Sequence, residues 1–315
     1  MTDTNKKKIK AIVSDIDGTL LTSKHELSKR NESALRAAAL EGVKVILATG
    51  KTRNSAIHLI EKLKLETYSI FLQGTIIYDP AGKVVIQHTL EPDLLRRAIT
   101  YMEDRGFDLI MYSGMRLLTR AVTDGIVDAT KRYHEPVPEA VGSLVNYVAD
   151  MPVNKLIAIG QPSAITALRW QLRQILRGEA EVVQAGLATM LEIVPNGSGK
   201  GPALAELLKK LDIKADEVMA LGDAENDIGM IRMAGIGVAM GNASADVKQA
   251  ADHITGTNDE HGVAQAVEKF VLPIGEPKPE ASSDKADKPA TTDAPAEAAA
   301  PAATPAAAAD AEKKP

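Results

Sequence analysis

Short apolar runs that stop abruptly at polar clusters set the rhythm of this chain. Residues 9–14 read as a buried strand ending at two acids, Asp15 and Asp17, with Gly18 and Thr19 behind them. Residues 27–41 have helical spacing. Leu27, Ala34, Leu35, Ala38 and Ala39 share one face, Ser28 is placed to cap and Gly42 to stop the helix. Residues 43–47 form a second buried strand that runs into Ala48-Thr49-Gly50-Lys51-Thr52, and 54–65 are helical again. Short strands at 69–72 and 75–78 flank Gln73-Gly74, followed by a turn at 79–82. Alternating strands and helices of this kind build a parallel sheet with helices on its faces.

From about residue 83 the pattern changes. Strands are predicted at 84–88, 107–112, 116–119, 155–159, 180–183 and 189–194, with helices at 92–105, 122–132 and 163–176. Several links are too short for crossover helices, which points to antiparallel pairing. The first pattern returns at a helix over 200–211. Strands at 217–221 and 235–240 and helices at 228–234, 243–251 and 262–270 complete it. The fold class expected is α/β. A Rossmann-like parallel-sheet core (1–82 and 195–272) carries an inserted α+β domain (83–194), then a disordered tail (273–315). From residue 274 onward the chain holds 15 Ala and 7 Pro with eight acids against five bases, too little apolar surface to offset chain entropy.

Composition narrows the function. The 315 residues suffice for two domains. A net charge of −5, with no long basic run beyond Lys6-Lys7-Lys8, argues against a nucleic-acid partner. Aromatic residues are only 3%, so stacking platforms are scarce. The absence of Cys excludes disulfides, thiolate metal sites and cysteine nucleophiles. No apolar stretch is long enough to span a membrane, and no apolar segment of a signal peptide precedes the first strand. A cytoplasmic protein without a membrane partner is expected; oligomeric state is not legible.

Four polar clusters remain, each at a strand end or a helix start: Asp15/Asp17/Thr19, Thr49/Gly50, Lys200, and Asp223/Asn226/Asp227. Singly they are ordinary. Thr49 reads as a helix cap, Lys200 as a solvated lysine, and Asp227 as an acid favouring a helix N-terminus. The six histidines, His25, His58, His88, His134, His253 and His261, are scattered and read as structural or surface residues. If the strands are parallel neighbours, the clusters meet on one sheet edge, where α/β proteins bind ligands. Oxygen donors without Cys or clustered His favour Mg2+ over zinc. A lysine and helix N-terminal amides favour a phosphorylated substrate.

DxDGT at 15–19, a strand-terminal Thr-Gly, a distant Lys at a helix start and GDxxND at 222–227, in that order, resemble the haloacid dehalogenase-like superfamily. The stretches EIVPNGSGKGPALAELLKKL, VMALGDAENDIGMIRMAGIGVAMGNASADVKQAADHIT and NDEHGVAQAV resemble its Cof-type, sugar-phosphatase-like branch, and the likeness covers about 9–272. The resemblance implies a Mg2+-dependent phosphatase of small phosphorylated metabolites, sugar phosphates first, with the inserted domain as a cap. It implies Asp15 as nucleophile, Asp17 as general acid and base, and Thr49 and Lys200 as further catalytic groups. Ile16, Thr49, Gly50, Lys200 and Asn226 would bind phosphate. Asp15, the backbone carbonyl of Asp17, and Asp223 would hold the metal, with Asp227 acting through water or beside the ligands. Two positions depart from the branch: Lys51 replaces the usual Arg, and Gln73-Gly74-Thr75 the usual Asn-Gly-Ala. Polar residues of the inserted domain, Arg116, Arg120, Asp124 and Asn154, are guessed as substrate contacts. A phosphomutase or phosphotransferase of the same superfamily, and a non-catalytic sugar-phosphate sensor, are the alternatives.

Overall fold

A computed structural model of the chain describes residues 8–184 and 187–272; the Ala/Pro-rich tail lies outside the described residues. The first segment runs β1 (Ala11–Ser14), α1 (Lys29–Leu40), β2 (Lys44–Leu47) and α2 (Arg53–Leu63). The meander β3 (Ser69–Phe71), β4 (Ile76–Tyr78) and β5 (Val84–Gln87) follows. Next come α3 (Pro92–Glu103), β6 (Asp108–Ser113), β7 (Arg116–Thr119), α4 (Asp124–Tyr133) and β8 (Glu139–Ala140). After these lie β9 (Lys155–Ile159), α5 (Pro162–Leu176), β10 (Ala180–Gln184) and β11 (Met190–Pro195). The chain then forms α6 (Lys200–Leu211), β12 (Val218–Gly222), α7 (Ile228–Met233), β13 (Ile236–Ala239), α8 (Ala245–Ala250), β14 (His253–Ile254) and α9 (Gly262–Phe270).

These strands make a five-stranded parallel sheet, order β14-β13-β12-β1-β2, and a six-stranded sheet, order β10-β11-β9-β6-β7-β8. β1 sits between β2 and β12, and all four of its residues are buried, as a central strand covered on both faces requires. The six-stranded sheet is antiparallel apart from the β7–β8 pair. Glu139–Ala140 and His253–Ile254 are edge strands too short to leave a periodic signal.

The three-stranded meander adjoins the parallel sheet, since Ala48 bridges to Ile70 in parallel. Val84–Gln87, which the sequence places in the insertion, pairs instead with β4. Local pattern cannot reveal that choice of partner, because a half-buried strand looks alike on either sheet.

Side-chain alternation divides the antiparallel sheet into two faces. Leu109, Met111, Leu156, Ala158, Leu191 and Ile193 pack with α3 and α5 residues such as Leu95, Ile99, Leu168 and Leu172. Ile110, Tyr112, Ile157, Ile159 and Met190 belong to the same apolar cluster as Ile16, Leu20 and Leu72 of the parallel layer. One hydrophobic core thus joins the two layers. Helix α1 starts as expected, with the Ser28 hydroxyl accepting from the Asn31 backbone N–H at 3.2 Å. Among the described residues no helix is long and apolar enough to cross a membrane.

Candidate active site

Strand register decides where the chemistry gathers. Ser14 lies beside Leu47 on one side and Leu221 on the other. Asp15, Thr49 and Asp223 therefore leave the sheet at the same carboxyl edge. Beyond β1 the chain makes a wide turn, Ile16–Leu20. Gly18 has φ +78°, and a Cβ there would fall 2.4 Å from Asp223 Oδ2, so only glycine fits. Thr19 Oγ1 donates to Asp223 Oδ1 at 2.8 Å, and Asn242 Nδ2 donates to the Gly18 carbonyl oxygen at 2.8 Å.

Lys200, at the first turn of α6, is drawn into the centre of this edge. Its buried Nζ lies 2.5 Å from Asp15 Oδ1 and 2.7 Å from Asp227 Oδ1. Close packing of α6 on α7 permits this, since a Cβ on Gly201 would come 2.8 Å from the Gly229 backbone. Asp227 is fully buried, and its Oδ2 accepts from the backbone N–H groups of Asp223 and Ala224, both at 3.0 Å.

Three carboxylates thus face a single ammonium. Burial pushes the Asp15 carboxyl up to about 8; Lys200 pulls the other way, and Asp227 and Asp223 add to the rise. Burial likewise raises Asp223 to about 6, against the Thr19 hydrogen bond. Burial alone would lower Lys200, but the Asp15 and Asp227 carboxylates override it and hold the amine above its usual value. Oxygens of Asp15, Asp223 and Asp227 lie within 4.8 Å of one another, a hard-oxygen set able to hold a divalent cation. Such a cation would relieve the excess negative charge that one lysine leaves.

The Asp17 side chain stands apart from this trio. Its Oδ2 pairs with Lys51 Nζ at 3.2 Å and its Oδ1 lies 3.5 Å from His25 Nδ1. Lys51, almost fully buried, also donates to the Tyr133 carbonyl oxygen at the end of α4. The His25 and His134 rings pack with centroids 3.9 Å apart. Burial, then the nearby charges of His25 and Lys51, push His134 below the ordinary imidazole value. These two histidines, read from the sequence as structural or surface residues, flank the Asp17 carboxylate.

Thr49 is buried, and its Oγ1 accepts from the Lys51 backbone N–H at 3.2 Å. Gly50 is pressed against Gln73, whose Nε2 a Cβ would meet at 2.7 Å. Gln73 Oε1 accepts from Asn226 Nδ2 at 2.8 Å, so the Gln73 loop ties two of the sequence clusters together. Ile16 enters with its side chain in the joint core.

The guesses for the antiparallel layer fare differently. Asn154 is fully buried and holds Gln87, Gly114 and the His88 carbonyl, which makes it a structural junction. Arg116 is paired with Glu139 on the surface, while Arg120 and Asp124 are exposed. The residues that do reach the site loop from this layer are others. Lys155 Nζ donates to the Gly50 carbonyl oxygen at 3.1 Å and pairs with Glu192 at 3.2 Å. Glu135 accepts from the Thr52 N–H at 2.7 Å, the Thr52 hydroxyl at 2.6 Å and the Ser55 hydroxyl at 2.6 Å, at the start of α2. The sequence held one signal for the first of these: a lysine opening an otherwise apolar strand.

A family model described as haloacid dehalogenase-like hydrolase matches residues 12–267. A protein of Arabidopsis thaliana, the chloroplastic endoribonuclease YBEY, is 36% identical over 85% of this chain; the chain spans 47% of its length. The Bacillus subtilis 5-amino-6-(5-phospho-D-ribitylamino)uracil phosphatase YcsE is 32% identical over 84% of this chain and 96% of its own. A solved structure of a haloacid dehalogenase-like hydrolase from Bacteroides thetaiotaomicron superimposes with a TM-score of 0.76 at 31% identity, covering 83% of this chain and 99% of that one.

Proposed function

The chain belongs to the haloacid dehalogenase-like hydrolases, in their Cof-type branch, and is a phosphoric monoester hydrolase; from that premise we propose that it hydrolyses small phosphorylated metabolites, sugar phosphates foremost, with Mg2+ at the acidic cluster. The observation that carries this reading is the Asp15–Lys200 contact of 2.5 Å at the carboxyl edge of the parallel sheet, with Asp223 and Asp227 beside it.

Lys200 holds Asp15 Oδ1, and among the described residues no hydrogen bond engages Oδ2. Oδ2 attacks phosphorus in line with the leaving oxygen and forms an aspartyl-phosphate. Asp17 protonates the departing alkoxide. It then takes a proton from the water that attacks the aspartyl-phosphate, which releases orthophosphate and restores Asp15. Thr49, Asn226 and the amides of Ile16 and Gly50 bind the phosphoryl oxygens. The Lys200 ammonium offsets charge as it builds on them. Asp15, Asp223 and the Asp17 carbonyl would hold Mg2+, which when bound neutralises charge on the phosphoryl group. Asp227 supports this arrangement through Lys200 and the amides of Asp223 and Ala224.

The antiparallel layer serves, in this proposal, as a cap that excludes water and selects the leaving group. Support for the sugar-phosphate class is the Bacillus subtilis relative, named for a substrate with a 5-phospho-D-ribitylamino group. Scarce aromatic residues also leave little to stack on a base. The test is orthophosphate release from an aryl phosphate and a sugar-phosphate panel, with Mg2+, with chelator, and with Asp15→Asn. Turnover that needs Mg2+ and disappears in D15N is expected. Turnover that survives D15N, or none from the wild type, overturns the reading.

A further inference from the structure

We propose that Lys155 is a positioning residue for phosphoryl binding: from the antiparallel layer it orients the Thr49 hydroxyl through the Gly50–Lys51 peptide. The inference rests on the phosphatase reading above. Lys155 opens β9, whose other residues, Leu156 to Ile159, are buried and apolar. Its side chain is itself only 3% exposed. Alternation puts it on the face of Ile157, toward the parallel layer, directly opposite Tyr112 in register. The ammonium sits 4.5 Å from the centre of the Tyr112 ring and 3.2 Å from Glu192 Oε1. A buried ion pair adds little to stability over well-packed apolar residues, so the fold alone does not account for it.

What the ammonium does reach is the Gly50 carbonyl oxygen, to which it donates at 3.1 Å. The N–H of that same peptide, at Lys51, donates to Thr49 Oγ1 at 3.2 Å. A carbonyl that accepts from a cation polarises its peptide, and its N–H becomes a stronger donor. Thr49 Oγ1 is thereby fixed as an acceptor on one side, and its own O–H must donate elsewhere. Among the described residues nothing accepts it. A phosphoryl oxygen at the strand edge supplies the missing acceptor. The relay runs from Lys155 through the 50–51 peptide to Thr49 and then the substrate. It acts on the phosphoryl group, which every substrate shares, and not on the leaving group.

Replacing Lys155 alone would strand the Glu192 carboxylate, so the test uses the paired variant K155M/E192L, checked for folding by circular dichroism and urea unfolding. Steady-state kinetics with an aryl phosphate and two sugar phosphates, and inhibition by orthophosphate, are compared in the wild-type and Thr49→Val backgrounds. Loss of a supporting group of this kind costs about 10- to 100-fold in kcat/KM. The loss should be similar for all three substrates, with orthophosphate inhibition weakened in parallel. In the T49V background it should shrink to under about twofold, because the two residues act as one unit. A folded K155M/E192L enzyme with wild-type kinetics overturns the relay alone. So does a loss that persists in T49V, or one that differs more than about tenfold between leaving groups. A wild type that releases no phosphate sinks the phosphatase reading and the relay with it.

Discussion

The parallel and antiparallel layers bury polar groups in opposite ways. In the parallel layer Asp15, Thr49 and Asp223 stand just beyond strand ends, and Lys200 opens a helix, so each is flanked by turn residues and belongs to a short contiguous motif. In the antiparallel layer Lys155, Glu192 and Tyr112 sit on three neighbouring strands, Tyr112 directly opposite Lys155 and Glu192 opposite Ile157, and no two are close in sequence. The parallel-layer set carries excess negative charge around one ammonium, which suits a cation and a phosphoryl group. The antiparallel set balances one carboxylate with one ammonium and then spends a hydrogen bond on the site loop. In the proposed reading one layer reacts and the other holds the first in place.

That division is open to attack, beginning with the largest effect. Asp17→Asn should lower kcat by about 10^2- to 10^4-fold, the span of a positioned acid–base group, with a smaller change for an aryl phosphate whose leaving group needs no proton. Equal losses for alkyl and aryl substrates would remove Asp17 from the acid role. Glu135→Ala tests the holding function. It removes the hydrogen bonds at the start of α2 and should cost about 1–2 kcal/mol in urea unfolding. An unchanged midpoint would mean the contact between layers contributes no stability.

Protonation offers a third, smaller test on the metal-free protein. Asp15 is raised from 3.8 to about 8 and Asp223 to about 6, so the folded state keeps protons that the unfolded chain has released. Fewer protons bound in the unfolded state means stability falls as pH rises. His134, shifted downward, acts in the opposite sense only below its ordinary value of 6.5. Between pH 6.5 and 8 the melting temperature without metal should therefore fall, and D15N should flatten the slope. Added Mg2+ should stabilise more at pH 8 than at 6.5, because it binds ionised carboxylates. A metal-free Tm that rises over this range contradicts the charge-excess account. The smallest effect belongs to Arg116→Ala. With Arg116 already paired to Glu139 on the surface, kcat/KM should stay within about twofold for every sugar phosphate. A selective loss for one substrate would return this residue to the leaving-group site.

By itself the sequence determined the parallel layer in considerable detail. Strand β1, helices α1 and α6, and the acids following β1 and β12 stand where periodicity and turn residues place them, because an apolar run cut off by Asp and Gly is a local event. Gly18 was legible for the same reason. Only the tertiary structure decided the rest. It assigned β5 to the meander beside the parallel sheet, put Asp17 with Lys51 and His25 apart from the acidic trio, and spent Asn154 on a buried junction. It alone brought Lys155, 105 residues away in sequence, to the Gly50 carbonyl. Pairing partners, sheet register and the facing of two layers are long-range choices. A side chain on a strand carries no local mark of what it will meet across them.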